Sequence, residues 1–330
     1  MEDLRELLAA GERTTSWLAH LASARAPDVE VSLPAPDDLA PALLELAVPH
    51  EDIGDLVALR PDRRHTPDLW WLVERSAWSL VSDMGAVDGP PPFPPMPEAL
   101  GPLHRYFHVY VLLAALPSVR AFHSKRGIPD GISRLTLADL GRNMAVHRRR
   151  YGMGGLDMGP WLMRHFRGLI YQLGRLQFER ARLGTRTGNA VAAIMPAYGP
   201  GSQSLEVHVP EFFGPLSPRA CDASFTHARE FFDRYFPEEA PGVAACHSWL
   251  LDAQLAEYLP ETSNIMRFQR RFRPAYQYDE PHDEDIQRFV FGRVASDLAE
   301  LAGRTTLERA VIDHLRMGRH WTAGAGWLLL

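Results

Sequence analysis

The chain has 330 residues, 46% hydrophobic and 23% charged, the values of an ordinary folded protein long enough for two domains. Its net charge of −6, with Lys125 the only lysine, argues against nucleic acid as a partner. The two cysteines, Cys221 and Cys246, are too few for a disulfide framework or an all-cysteine zinc site.

The opening segment, MEDLRELLAAGE, predicts a helix with Leu4, Leu7 and Leu8 on one face. It is acidic and has no basic leader, so no signal peptide and a cytoplasmic location are expected. PALLELAVP and TPDLWWLVERSAWSLVSDMG follow the same helical period, the second with Thr66 as cap and Pro67 as first helical residue. Asp88 to Pro102, DGPPPFPPMPEALGP, reads as a polyproline-like connection. LHRYFHVYVLLAALPSVRAFHSKRG then predicts a strongly apolar helix. Its densest part, Val109 to Leu116, falls well short of the roughly 20 residues that span a bilayer. His104 and His108 are spaced as two ligands on one helix face, but no third ligand is evident and no metal is expected. Residues 1–125 therefore form a helical N-terminal domain in this reading.

From residue 126 the pattern mixes. SRLTLADLGRNMAVHRRRYG predicts a capped basic helix, and the segment from Trp161 to Gly184 turns from helical into strand-like alternation. NAVAAIMPAYG and SLEVHVPEF are strand candidates on either side of the turn YGPGSQ. SPRACDASFTHAREFFDRYFP is a helix with Ser217 as cap, Pro218 opening it and Pro237 beyond its end. GVAACHSWLL reads as a strand, DAQLAEYLP as a short helix, and SNIMRFQRRFRPAYQY as a helix that becomes extended. EDIQRFVFGR reads as a strand, and TTLERAVIDHLRMGRHW as a final helix capped at Thr305 or Thr306. Interleaved strands and helices make this half α/β or α+β.

YQLGRLQFERAR, VHVPEFFGPLSPRACDASFTHAREFF, CHSWLLDAQLAEYLPETSNIMRFQRRF and TTLERAVIDHLRMGRHWTAGAGWLLL resemble a family of bacterial acyltransferase-domain proteins. That family pairs a helical N-terminal domain with a C-terminal domain of the GNAT (N-acetyltransferase) type, here residues 126–330. The resemblance implies an α+β chain with a mixed, mostly antiparallel sheet. It also implies acyl transfer from a thioester, acyl-coenzyme A or an acyl carrier protein, to an amine or hydroxyl of a small-molecule acceptor. One departure stands out. The Arg/Gln-x-x-Gly-x-Gly/Ala turn that cradles the donor pyrophosphate at a helix N-terminus in most such enzymes is not in this sequence.

Acyl transfer needs a base for the attacking nucleophile, and histidine titrates near neutral pH. His208 is the candidate, with Glu206 on the same face of its strand to tune it. Ser248 is placed to give a proton to the leaving thiolate or to hold the thioester carbonyl. Arg175, Gln177 and Glu179 share a strand face that either lines a cleft, with Arg175 and Gln177 as candidates for donor binding, or faces water. Asn264, Arg267 and Gln269, in and before the basic run RFQRRFR, are candidates for donor phosphate contact, against the alternative of a solvated face. Cys246 and His247 are adjacent on a strand and so point to opposite faces. That geometry is poor for a thiolate–imidazole dyad, and Cys246 reads as a packing residue. Two readings compete with the acyltransferase: a non-catalytic acyl-binding module that has lost the pyrophosphate turn, and a cysteine-dependent hydrolase drawing on another histidine.

Overall fold

The structure is a computed structural model that describes residues 4, 8, 11–26, 31–90, 93–157 and 159–330. It divides into two compact units, Met1–Tyr171 and Gln172–Leu330. The helix expected over Met1–Glu12 falls largely outside the described residues.

In the first unit the helices are α1 (Glu12–Ser23), α2 (Pro36–Glu45), α3 (His50–Ala58), α4 (Pro67–Val81), α5 (Leu103–Lys125), α6 (Asp130–Leu137), α7 (Asp139–Tyr151) and α8 (Gly159–Phe166). α5 is apolar on nearly every side, and every residue from Tyr106 to Leu116 is buried, as expected of a helix at the centre of its domain. α4, α6 and α8 pack against it. Each fully buried leucine among them contributes about 2 kcal/mol. The sequence placed the domain boundary at residues 125/126, at the end of this apolar helix. The structure puts the division between Tyr171 and Gln172, because α6 and α8 fold back on α5 instead of leaving it.

The proline-rich stretch also differs from the linker expected. Phe93 and Met96 are buried in the core of the first unit, and Phe93 stacks on His108 with ring centroids 6.4 Å apart. His108 thus serves as a core residue, while His104 bonds to the carbonyl of Gly101. Among the described residues no helix is long and apolar enough to cross a membrane.

The second unit is built on a six-stranded mixed sheet: β1 (Ile170–Leu173), β2 (Leu176–Arg182), β3 (Gln203–His208), β4 (Val243–Ser248), β5 (Arg273–Gln277) and β6 (Gly324–Leu329). Their order is β1-β2-β3-β4-β6-β5. β2/β3, β4/β6 and β5/β6 pair antiparallel, and β3/β4 pair parallel. The helices are α9 (Thr185–Ala192), α10 (Pro218–Tyr235), α11 (Asn264–Gln269), α12 (Asp283–Phe291) and α13 (Thr306–Arg316).

Two of the caps read from sequence form, whereas the Thr66 hydroxyl is bonded to the backbone of Asp62 and does not cap α4. Ser217 accepts from Ala220 N at 3.3 Å ahead of Pro218. Thr305 and Glu308 form a reciprocal capping box. At the start of α11 the Ser263 hydroxyl accepts from Met266 N at 3.2 Å.

Two expected strands are helices. The stretch Asn189–Gly199 lies in α9 and the turn after it, where Thr187, Gly188 and Val191 face inward at helical spacing. Its alanines are strong helix formers. Residues 284–293 lie mostly in α12, which buries Ile286 beneath Leu255 and Trp321. Conversely, the strand β6 was not foreseen. It is glycine-rich because a Cβ on Gly324 would sit 2.3 Å from the Leu251 carbonyl oxygen, and one on Gly326 2.8 Å from the Phe272 side chain.

Candidate functional site

β3 and β4 are paired at only two positions, Leu205 with Ala244 and Glu206 with Ala245. Beyond these the strands part. β3 goes on pairing with β2 through Val207 and His208, and β4 with β6 through Cys246, His247 and Ser248. The parting opens a wedge in the middle of the sheet.

Side chains alternate between faces along a strand. One face therefore carries Gln177 and Glu179 from β2, Glu206 and His208 from β3, and Ala245 and His247 from β4. On this face one contact repeats. Glu179 stands opposite Glu206, yet its Oε2 accepts from Nε2 of His208, two residues on, at 2.9 Å. Glu206 stands opposite Ala245, yet its Oε1 accepts from Nδ1 of His247, again two residues on, at 2.7 Å. The same Oε1 accepts from the backbone N–H of His247 at 3.0 Å, filling the place that β3 backbone would take were the strands still paired. His208 and His247 thus stand two residues past the last strand pair, one on each side of the wedge, each held by a carboxylate.

The expected pairing of Glu206 with His208 is corrected accordingly. The two share a face, but Glu206 serves His247 and Glu179 serves His208. Because a carboxylate accepts at Nε2, the neutral His208 ring is basic at Nδ1. Nε2 of His247 lies 3.0 Å from Oγ1 of Thr187 on α9. Burial pulls the pKa of His247 down, but the hydrogen bond and charge of Glu206 outweigh it and hold it above 6.5. Beyond the His247 ring, at a centroid distance of 6.1 Å, lies Tyr276, whose own ring carries the Arg186 guanidinium 3.7 Å above it.

Ser248 is on the opposite face, and its hydroxyl accepts from Leu250 N at 3.1 Å to start the short turn Trp249–Leu251. It is a cap and does not stand in the carboxylate–imidazole row. Cys246 is also on that face, 1% exposed; burial, with a smaller effect of the Glu206 charge, pushes its thiol pKa well up. A buried thiol held protonated and turned away from His247 is a packing residue.

The expected donor contacts are dispersed. The Arg175 guanidinium is tied to the carbonyls of Gly214 and Pro210 at 2.8 and 3.0 Å, so it anchors the loop between β3 and α10. The Gln269 amide donates to the carbonyls of Asp252 and Leu250 at 2.8 and 3.3 Å. Asn264 and Arg267 are exposed on α11. Gln177 alone stands in the row: it is opposite His208, and its amide nitrogen is buried without a partner. Sequence reasoning missed His247 as the partner of Glu206, Glu179 as the partner of His208, and Thr187. Among the described residues no group of three or more His, Cys, Asp or Glu is placed to hold a metal ion.

Residues 37–168 match the model of an N-acyltransferase N-terminal domain, and residues 170–328 that of a GNAT-like C-terminal domain. Among solved structures, an acyltransferase variant in complex with octanoyl-CoA is 43% identical, with a TM-score of 0.89, over 100% of this chain and 99% of its own. An acyltransferase in complex with decanoyl-CoA and teicoplanin is 43% identical with a TM-score of 0.88 over the same shares. This chain belongs to the GNAT-like acyltransferases. No curated protein is matched. For an acyltransferase the parted strands are the informative feature, since an imidazole–carboxylate pair stands on each side of the parting. The acyl-binding module without catalysis and the cysteine-dependent hydrolase both give way to a transferase. The family decides against the first, and the burial of Cys246 against the second.

Proposed function

We propose that this acyltransferase moves a fatty acyl group from coenzyme A to an amine of a small-molecule acceptor of the teicoplanin kind, with His208 as the general base. The observation that carries this reading is the His208–Glu179 pair at the edge of the wedge, in a chain whose relatives hold octanoyl- and decanoyl-CoA. The amide groups of the donor's pantetheine arm pair with the parted edges of β3 and β4, as an added strand would. That sets the thioester beside His208. A neutral amine attacks the carbonyl carbon, Nδ1 of His208 takes its proton, and Glu179 stabilises the imidazolium at Nε2. Backbone N–H groups at the strand edges hold the tetrahedral oxyanion. Gln177 contacts the donor from beside His208, while Arg267 and Asn264 remain open for its phosphates. The enzyme works in the cytoplasm and takes coenzyme A thioesters in preference to acyl carrier protein.

The test is incubation with octanoyl- or decanoyl-CoA, or with octanoyl carrier protein, and teicoplanin deacylated to its free amine. Thiol release is followed, and the acylated product is identified by mass spectrometry. Transfer from coenzyme A is expected. Transfer from the carrier protein alone would overturn the donor assignment, and silence from every donor the whole reading.

A further inference from the structure

Breaking a thioester leaves a thiolate that must take up a proton, and His208 is occupied with the proton of the amine. Across the wedge stands a second imidazole at the same level. His247 is two residues past the last strand pair on β4, as His208 is on β3. Its side chain is 32% exposed, against 19% for His208. Nδ1–H is fixed on Glu206 at 2.7 Å, so the proton it can give up is the one on Nε2, 3.0 Å from Thr187 Oγ1.

We propose that His247 is a second catalytic residue, the general acid that protonates the departing thiolate, with Glu206 and Thr187 as its positioning residues. The proposal rests on the reading of His208 as base. The step balances. The amine nitrogen forms the new C–N bond and gives its proton to Nδ1 of His208. The C–S bond breaks with its electron pair going to sulfur, and sulfur takes the Nε2 proton of His247. The products are an amide and free thiol, with imidazolium now at His208 and neutral imidazole at His247, and exchange with solvent restores both. Before the reaction the Nε2 proton rests on a neutral hydroxyl oxygen. A thiolate in the slot is an anion, a stronger acceptor than that hydroxyl, so the proton moves only as the bond breaks.

The groups facing the His247 ring are Glu206 from β3, Thr187 and Arg186 from α9, Tyr276 from β5 and the uncharged Ala325 from β6. Tyr278 adds a hydroxyl 3.3 Å from that of Tyr276, and the Cys246 thiol lies on the other face. Glu206 is the one carboxylate among them, which makes it the lever on His247.

The experiment uses the full chain and two donors: octanoyl-CoA and the octanoyl thioester of an acidic aryl thiol, whose thiolate leaves without a proton. His247→Gln should lower single-turnover rates with octanoyl-CoA by roughly 10²-fold, the low end of the range for general acids. With the aryl thioester it should stay within about threefold of wild type, since that leaving group needs no acid. Equal losses with both donors would mark a structural residue and overturn the assignment, as would an undiminished rate with octanoyl-CoA. Glu206→Gln keeps an oxygen for the His247 N–H and supplies a second reading should His247→Gln fail to fold. It should move the alkaline limb of the kcat/KM profile to lower pH and leave the acid limb in place, whereas an unmoved alkaline limb would refute the role. A wild type silent with both donors would bring down the base reading and this one together. A wild type that is active, paired with a His208→Gln variant impaired on both donors, keeps the base reading whatever His247 does.

Discussion

His208→Gln is the most direct test of the base. Glutamine is close in reach, and its amide can still donate to Glu179, which the ring does now over 2.9 Å. What it lacks is a nitrogen able to accept a proton near neutral pH. Loss of a general base costs roughly 10²- to 10⁴-fold in turnover, or about 3–5 kcal/mol of transition-state stabilisation. The fold should tolerate the change, because the His208 side chain is 19% exposed and one hydrogen bond of this kind contributes about 1 kcal/mol net. Affinity for the donor should change little, since the base meets the acceptor. The assay is single-turnover transfer from octanoyl-CoA to the amine acceptor, with donor titration calorimetry and thermal melts run in parallel. Turnover within about threefold of wild type, with a native melt, would refute the assignment. A fall in donor affinity that accounts for the whole loss would do the same, and would recast His208 as a binding residue.

Two further outcomes follow from burial. Cys246→Ala should leave turnover within about twofold and lower stability by about 1 kcal/mol, because the thiol only packs; melts and rates on one preparation check both, and lost turnover in a fully folded variant would reinstate the nucleophile. In the first unit, burial of His108 and of His123 lowers each pKa from 6.5 to about 4. A histidine kept neutral in the fold contributes stability that is complete above 6.5 and is lost as pH falls toward 4, on the order of 3 kcal/mol for each. His123→Gln, which can still bond to Ser133, should therefore flatten the fall in urea-unfolding stability between those pH values, and an unchanged slope would contradict the burial argument.

The sequence carried the local half of this site and missed the non-local half, for a reason of distance. Alternation along β3 puts Glu206 and His208 on one face, and the structure agrees. Yet residues two apart on a strand are separated by about 6.6 Å of backbone rise, a long way for side chains that stand parallel. The diagonal neighbour on the next strand is within hydrogen-bond reach, and which residue that is depends on register. Register couples Glu179 to His208 and Glu206 to His247 across 29 and 41 residues of sequence, and nothing local encodes it. The same limit explains β6, whose glycines are fixed by how closely Leu251 and Phe272 approach and not by strand propensity. Caps are legible because both partners lie within one turn: Ser217 with Ala220, and Thr305 with Glu308. α12 falls between these cases: DEDIQRFVF carries β-forming side chains, yet its first turn holds three acidic residues and Gly292 ends it in the left-handed conformation, while Ile286 packs with Leu255 and Trp321. The wedge is the most non-local feature of all, being set by where two strands joined through α10 cease to pair. A single chain therefore shows its chemistry one residue at a time. Two carboxylate–imidazole pairs become a base and an acid only when the sheet sets them on either side of one slot.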